Sequence, residues 1–134
     1  MATYRVEDTI TLVAGSGLES WQGRLVGLDA TGRAVPYTDA NPGNSPSRPV
    51  GVLLDRPKAG EACLVQVRGV ALILAGGPLN VGDDLMPESQ GRVLPLGVVP
   101  QGSYAWTVGK AMTSVGNTGD YVEVELFTKR VSFS

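Results

Sequence analysis

Residues 121–129 read Tyr-Val-Glu-Val-Glu-Leu-Phe-Thr-Lys, and the apolar residues fall at alternate positions between acids. Val122, Val124 and Leu126 point one way, Glu123 and Glu125 the other. Successive side chains in a strand face opposite sides, so the pattern is a half-buried β-strand with a wet face. Residues 62–75 carry the same signature. Cys63, Val65, Val67, Ala71 and Ile73 share one face, Gln66 and Arg68 the other, and Gly69 marks a bulge or bend. Upstream, Arg24–Leu28 leads through Asp29-Ala30-Thr31-Gly32 into Arg33-Ala34-Val35, the spacing of a hairpin.

Sliding the chain by 59 positions superimposes these elements on one another. Gly23 falls on Gly82, Gly32-Arg33 on Gly91-Arg92, Pro36 on Pro95 and Gly60-Glu61 on Gly119-Asp120. With one residue deleted, Val50-Gly51 falls on Val108-Gly109; back at 59, Cys63, Val65 and Val67 fall on Val122, Val124 and Leu126. Turns and inward faces coincide together, which marks an internal repeat over about 23–67 and 82–126. Residues 1–14 lie outside it as an N-terminal arm or first strand, and 128–134 as a tail. The β-domain spans 15–127 and contains a polar, proline-rich loop at 37–49. Composition agrees with an all-β, compact single domain, a barrel or sandwich of short antiparallel strands in two similar halves. Eighteen glycines and nine prolines punctuate a chain with 18 valines and nine threonines. No stretch keeps helical apolar periodicity over three turns without a glycine or proline break.

The residues that are missing exclude whole classes of chemistry. The 134-residue chain has no histidine and one cysteine. Ser-His-Asp and Cys-His catalysis, His-bound zinc, an intrachain disulfide and a multi-cysteine metal site are therefore excluded within it. Cys63 shares its face with Val65 and Val67 and is expected to be buried and inert. Asp83-Asp84 follows Val81-Gly82 and reads as a pair of solvated turn acids. Gly15-Ser16-Gly17 lacks the Gly-Lys-Ser/Thr ending of a phosphate loop. Eleven basic and 13 acidic residues give a net charge of −2, with no basic cluster, so neither nucleic acid nor an anionic membrane is an expected partner. The start MATYRVEDTITLVAG has acids where a signal peptide needs bases. The longest apolar run, Val70–Ala75, is far too short to span a membrane. No enzyme, cofactor or metal is expected.

Two groups of residues suit contacts. Tyr4, Val6, Ile10 and Leu12 alternate with Arg5, Thr9, Thr11 and Val13 at the N-terminus, broken by Glu7-Asp8. A strand at a terminus offers backbone donors and acceptors to a partner's sheet edge. Trp21, Tyr104 and Trp106 are large aromatics of the kind that anchor interfaces. The alternative use of Trp21 or Trp106 is a stacking platform in a carbohydrate-type ligand-binding β-barrel.

In order, the chain carries Gly-Arg-apolar-apolar-Pro, Pro-Val-Gly-Val-Leu (49–53), Gly-Glu-Ala-x-x-Val-x-Val-x-Gly-Val (60–70), Val-Gly-Asp-x-Leu (81–85), Gly-Arg-Val (91–93), Val-Gly-x-Ala (108–111) and Gly-Asp-x-Val-x-Val-x-Leu (119–126). This series, over residues 9–126, resembles the small capsid decoration, or cement, proteins of tailed bacteriophages, a group often filed as of unknown function in phage head gene clusters. The loop at 37–49 is longer and more polar than that pattern. The resemblance implies a structural virion protein made in the host cytoplasm that binds the outer surface of an assembled capsid. It implies bridging of neighbouring major capsid subunits, head stabilisation, and a homotrimer at three-fold or quasi-three-fold positions. Tyr4, Arg5, Val6, Ile10, Leu12, Trp21, Tyr104 and Trp106 are the expected capsid or subunit contacts.

Overall fold

A computed structural model describes residues 5–38, 49–96 and 104–132 of the chain. Among them lie nine strands and no helix: β1 Arg5–Val13, β2 Leu25–Leu28, β3 Ala34–Pro36, β4 Gly51–Leu53, β5 Ala62–Leu74, β6 Asp84–Pro87, β7 Val93–Pro95, β8 Tyr104–Ala111 and β9 Tyr121–Ser132. All strand pairings are antiparallel. The all-β class follows from the period-2 patterning, and the hairpin at Asp29–Gly32 joins β2 to β3 as its spacing predicts.

β5 organises the molecule because its two ends belong to different halves. Its first part pairs with β1 on one edge and β4 on the other; its last part pairs with β9. Gly69 and Val70 pair with both β1 and β9, so β4 and β9 follow one another along the same edge. Gly69 sits at this joint with φ of +87°, a conformation that glycine reaches without a Cβ clash. The Gln66 side chain braces it, its Nε2 donating to the carbonyls of Arg68 (2.9 Å) and Val70 (3.1 Å).

The first half is therefore β1–β4 with the start of β5, and the second is the end of β5 with β6–β9. Their registers coincide. Val26↔Pro36 and Leu28↔Ala34 recur as Leu85↔Pro95 and Pro87↔Val93. Val52↔Gln66 and Leu53↔Val65 recur as Lys110↔Glu125 and Ala111↔Val124. Parallel bridges Ala14↔Ala34 and Ala75↔Val93 draw the two ends of each curled half-barrel together. Even the turn hydrogen bonds match: Ala14 N donates to Glu61 O and Ala75 N to Asp120 O, both at 2.8 Å. The Val-Gly dipeptides of the repeat have a steric cause. A Cβ at Gly51 would strike the carbonyl oxygen of Gln66, and one at Gly109 that of Glu125.

Each half buries the same seven positions. Ala14, Leu18, Val26, Ala34, Leu53, Cys63 and Val65 line the first core. Their counterparts Ala75, Leu79, Leu85, Val93, Ala111, Val122 and Val124 line the second, which also takes in Leu25, Tyr37 and Val52 from the first half. Cys63 is buried, and desolvation, reinforced by nearby Asp55, pushes its thiol pKa up against a weaker opposing hydrogen bond from the Leu12 backbone.

Residues 5–13, expected as an arm or first strand, form a paired strand, whose equivalent in the second half is the end of β5. Two sequence expectations are revised. Glu7-Asp8, read as a break, is where the β1 register shifts in a bulge. Gln66 and Glu123, assigned to wet faces, are buried. The alternation placed them opposite the core correctly, but Gln66 lies where the two halves abut, and Glu123 is 7% exposed beside Thr113, whose Oγ1 accepts from its backbone N. Tyr4 and most of the 37–49 loop lie outside the described residues.

Candidate functional site

Two surfaces stand out, the edge strand β1 and the seam between the halves. β1 is hydrogen-bonded to β5 along one edge, and among the described residues no strand pairs with its other edge. An extended edge of this kind exposes a row of backbone donors and acceptors. Its two faces differ. Leu12 opposes Cys63 and is half-buried against the first core; Ile10 opposes Val65 and is 38% exposed. On the opposite face Thr11, Val13, Ala62 and Leu64 are adjacent and all exposed, with Val13 and Leu64 each above 40%. Arg68 Nε meets Asp8 Oδ2 at 2.8 Å beside the bulge, an exposed ion pair that contributes little stability.

The seam is built around Trp21. Its Nε1 donates to the Leu25 carbonyl at 2.7 Å, the Arg24 guanidinium lies 4.9 Å from the ring centroid, and the ring covers Gly91 of the second half. Leu25 N donates to Gly91 O (2.7 Å) and Arg24 Nη1 to Gln90 O (3.1 Å), so the β6–β7 turn is clamped against the loop before β2. That turn is held by Glu88. Its Oε1 accepts from the backbone of Gln90 and Arg92, and its Oε2 is paired with Arg92. Burial alone would raise the Glu88 pKa, but the combined hydrogen bonds from Arg92 and Gln90 overcome it and hold the carboxyl below its usual value. Nearby, an open depression of about 250 Å³ is lined by Gln22, Gly23, Leu53, Leu54, Gln66, Leu72 and Tyr121. The Gln22 amide in it is already committed, donating to Leu54 O and accepting from Arg56 Nε.

The expected contact residues are thus dispersed. Arg5, Val6, Ile10 and Leu12 belong to β1. Trp21 is occupied within the seam. Tyr104 and Trp106 are in β8, opposite Ser132 and Arg130. Asp83 caps its own turn, its Oδ2 accepting from Asn80 N at 2.9 Å. Sequence reasoning missed Leu28, Leu64, Val81, Met112, Tyr121 and Phe127, large apolar side chains that the structure leaves exposed. The alternation did offer a signal for Leu64, Tyr121 and Phe127, which fall on the faces of Arg68 and Glu125, opposite the core.

No protein-family model matches the chain, and no curated protein matches it. Among solved structures it is similar to the N base of head fiber gp8.5 in bacteriophage phi29. The two share 18% identity with a TM-score of 0.58, over 90% of this chain and 93% of that one. The likeness is one of fold.

Proposed function

We propose that this chain is a structural protein of a bacteriophage virion, a decoration protein that binds the outside of the assembled capsid. It bridges neighbouring major capsid subunits and stabilises the head without enzymatic activity or cofactor, and it acts as a homotrimer. The observation that carries the reading is the fold shared with the base of the phi29 head fiber over nearly the full length of both chains. The motif series of residues 49–126 points the same way independently of the coordinates. Edge strand β1 supplies a capsid contact, with backbone hydrogen bonds for affinity and the Val13–Leu64 face for specificity. Many copies on one shell let modest contacts act together. Trp21, which a carbohydrate-binding barrel would need in an open site, is instead engaged by Arg24, Leu25 and Gly91.

The test is to mix the purified protein with undecorated phage heads and count bound density by electron microscopy. Saturable occupancy at fixed lattice positions, with greater resistance of heads to heat, is expected. Absence of binding to any head under assembly conditions overturns the reading.

A further inference from the structure

The contact between the halves has an inserted hairpin and a receiving surface, and the chain leaves one further copy of each uncovered. Within the chain the β6–β7 hairpin is inserted: Pro87 and Gly91 are buried, and Arg92 is half-buried. The receiving surface is Trp21, Arg24 and Leu25. The equivalent hairpin of the first half, β2–β3, is free of such cover. Leu28, at the Pro87 position, is 52% exposed; Arg33, at the Arg92 position, is exposed; and nothing lies within 4 Å of where a Gly32 Cβ would be. The equivalent receiving surface of the second half is uncovered too. Asp84 has the Leu25 position and is exposed, and beside it Gly82 is exposed and Val81 is 62% exposed.

We infer that the β2–β3 hairpin of one copy seats on the Val81–Asp84 surface of a second copy, head to tail, continuing between molecules the contact that joins the halves within one. The occupant is a second copy because the two surfaces are the repeat equivalents, by backbone position, of the two that meet inside the chain. Charge agrees: each turn carries one acid and one base, but Arg92 is paired with Glu88, whereas Arg33 is exposed and has no ion pair among the described residues, which leaves it to meet Asp83 and Asp84. The contact covers Leu28 and Val81, two of the largest apolar exposures among the described residues. It lacks the Trp21 indole and replaces Leu25 by Asp84, so it is more polar and more salt-sensitive than the internal seam. A contact between two different patches closes into a ring or runs on as a filament. This deepens the self-association part of the proposed function and rests on that part alone.

The experiment uses Leu28→Asp and Val81→Asp in sedimentation velocity at low and high salt. Wild type is expected to form species larger than a monomer that dissociate as salt rises. Each variant, with unchanged melting temperature, is expected to weaken association by at least about tenfold. Mixing the two variants restores one intact contact, because each retains the surface the other has lost, and yields a dimer and nothing larger. Should Leu28→Asp unfold the hairpin, the exposed Thr31→Glu, repelled by Asp83 and Asp84, tests the same face. Monomeric wild type, undiminished association of the variants, or a mixture that stays monomeric overturns the inference. Heads are absent throughout, so this failure is separate from failure to bind capsids.

Discussion

Gly91 lies directly beneath the indole of Trp21: a Cβ there would come within 2.7 Å of Cζ2 and 3.0 Å of the Leu25 carbonyl oxygen. Its repeat partner Gly32 has nearly the same backbone, φ +82° against +72°, but nothing within 4 Å. The pair separates backbone strain from steric overlap. Gly32→Ala is expected to cost about 1–2 kcal/mol through the left-handed conformation alone. Gly91→Ala adds overlap with a packed ring and should cost about 1–3 kcal/mol more. Urea unfolding of both variants checks this, and equal costs would mean that the indole moves aside freely.

Val65 and Val124 hold equivalent places in the two cores, both fully buried. Val65→Asp and Val124→Asp are each expected to destabilise by several kcal/mol, because each buries a carboxylate with no partner. Glu125→Gln, on the exposed face of β9, should stay within about 0.5 kcal/mol. Thermal denaturation of the three variants reads the facing of both strands.

Glu88 has a lowered pKa when folded, so it binds its proton less readily than in the unfolded chain, whose value is near 4.5. Its contribution to stability is therefore complete above that value and is lost as pH falls through the lower folded pKa. Glu88→Ala is expected to cost about 1–3 kcal/mol at pH 7, through loss of the Arg92 pair and the turn hydrogen bonds. The gap from wild type should narrow as the pH is taken down below 4.5. Asp29 holds the equivalent turn in the first half with a carboxyl also lowered, chiefly by the Arg33 backbone N–H and the Thr31 hydroxyl. Its side-chain partner is the Thr31 hydroxyl where Glu88 has the Arg92 guanidinium, and Asp29→Ala should cost less. Unfolding curves across pH 3–7 test the sign.

On β1 the two faces should behave differently. Leu12→Asp reaches the first core and is expected to destabilise the domain. Val13→Asp and Leu64→Asp alter only exposed positions, so they should leave the melting temperature nearly unchanged while weakening binding to heads. A binding titration against undecorated heads, beside thermal melts, distinguishes them. Unaltered head binding by both exposed variants would remove this face from the capsid contact.

The sequence alone determined the class, the hairpin at Asp29–Gly32 and the correspondence between halves, because period-2 alternation and turn glycines are set by neighbours in the chain. It also identified Cys63 as a core residue, since its facing follows from Val65 and Val67. The tertiary structure decided what depends on distant segments meeting. Residues 5–13 carry strand alternation of their own, but that they pair with the edge of β5 was decided by the fold, since no local pattern names a partner. Trp21 became the clamp of the seam, rather than a free platform, because the second half's turn arrives beneath it. Gln66 and Glu123 have the spacing of solvated residues, yet burial depends on what packs over the sheet, and alternation records only which side of a strand a residue faces.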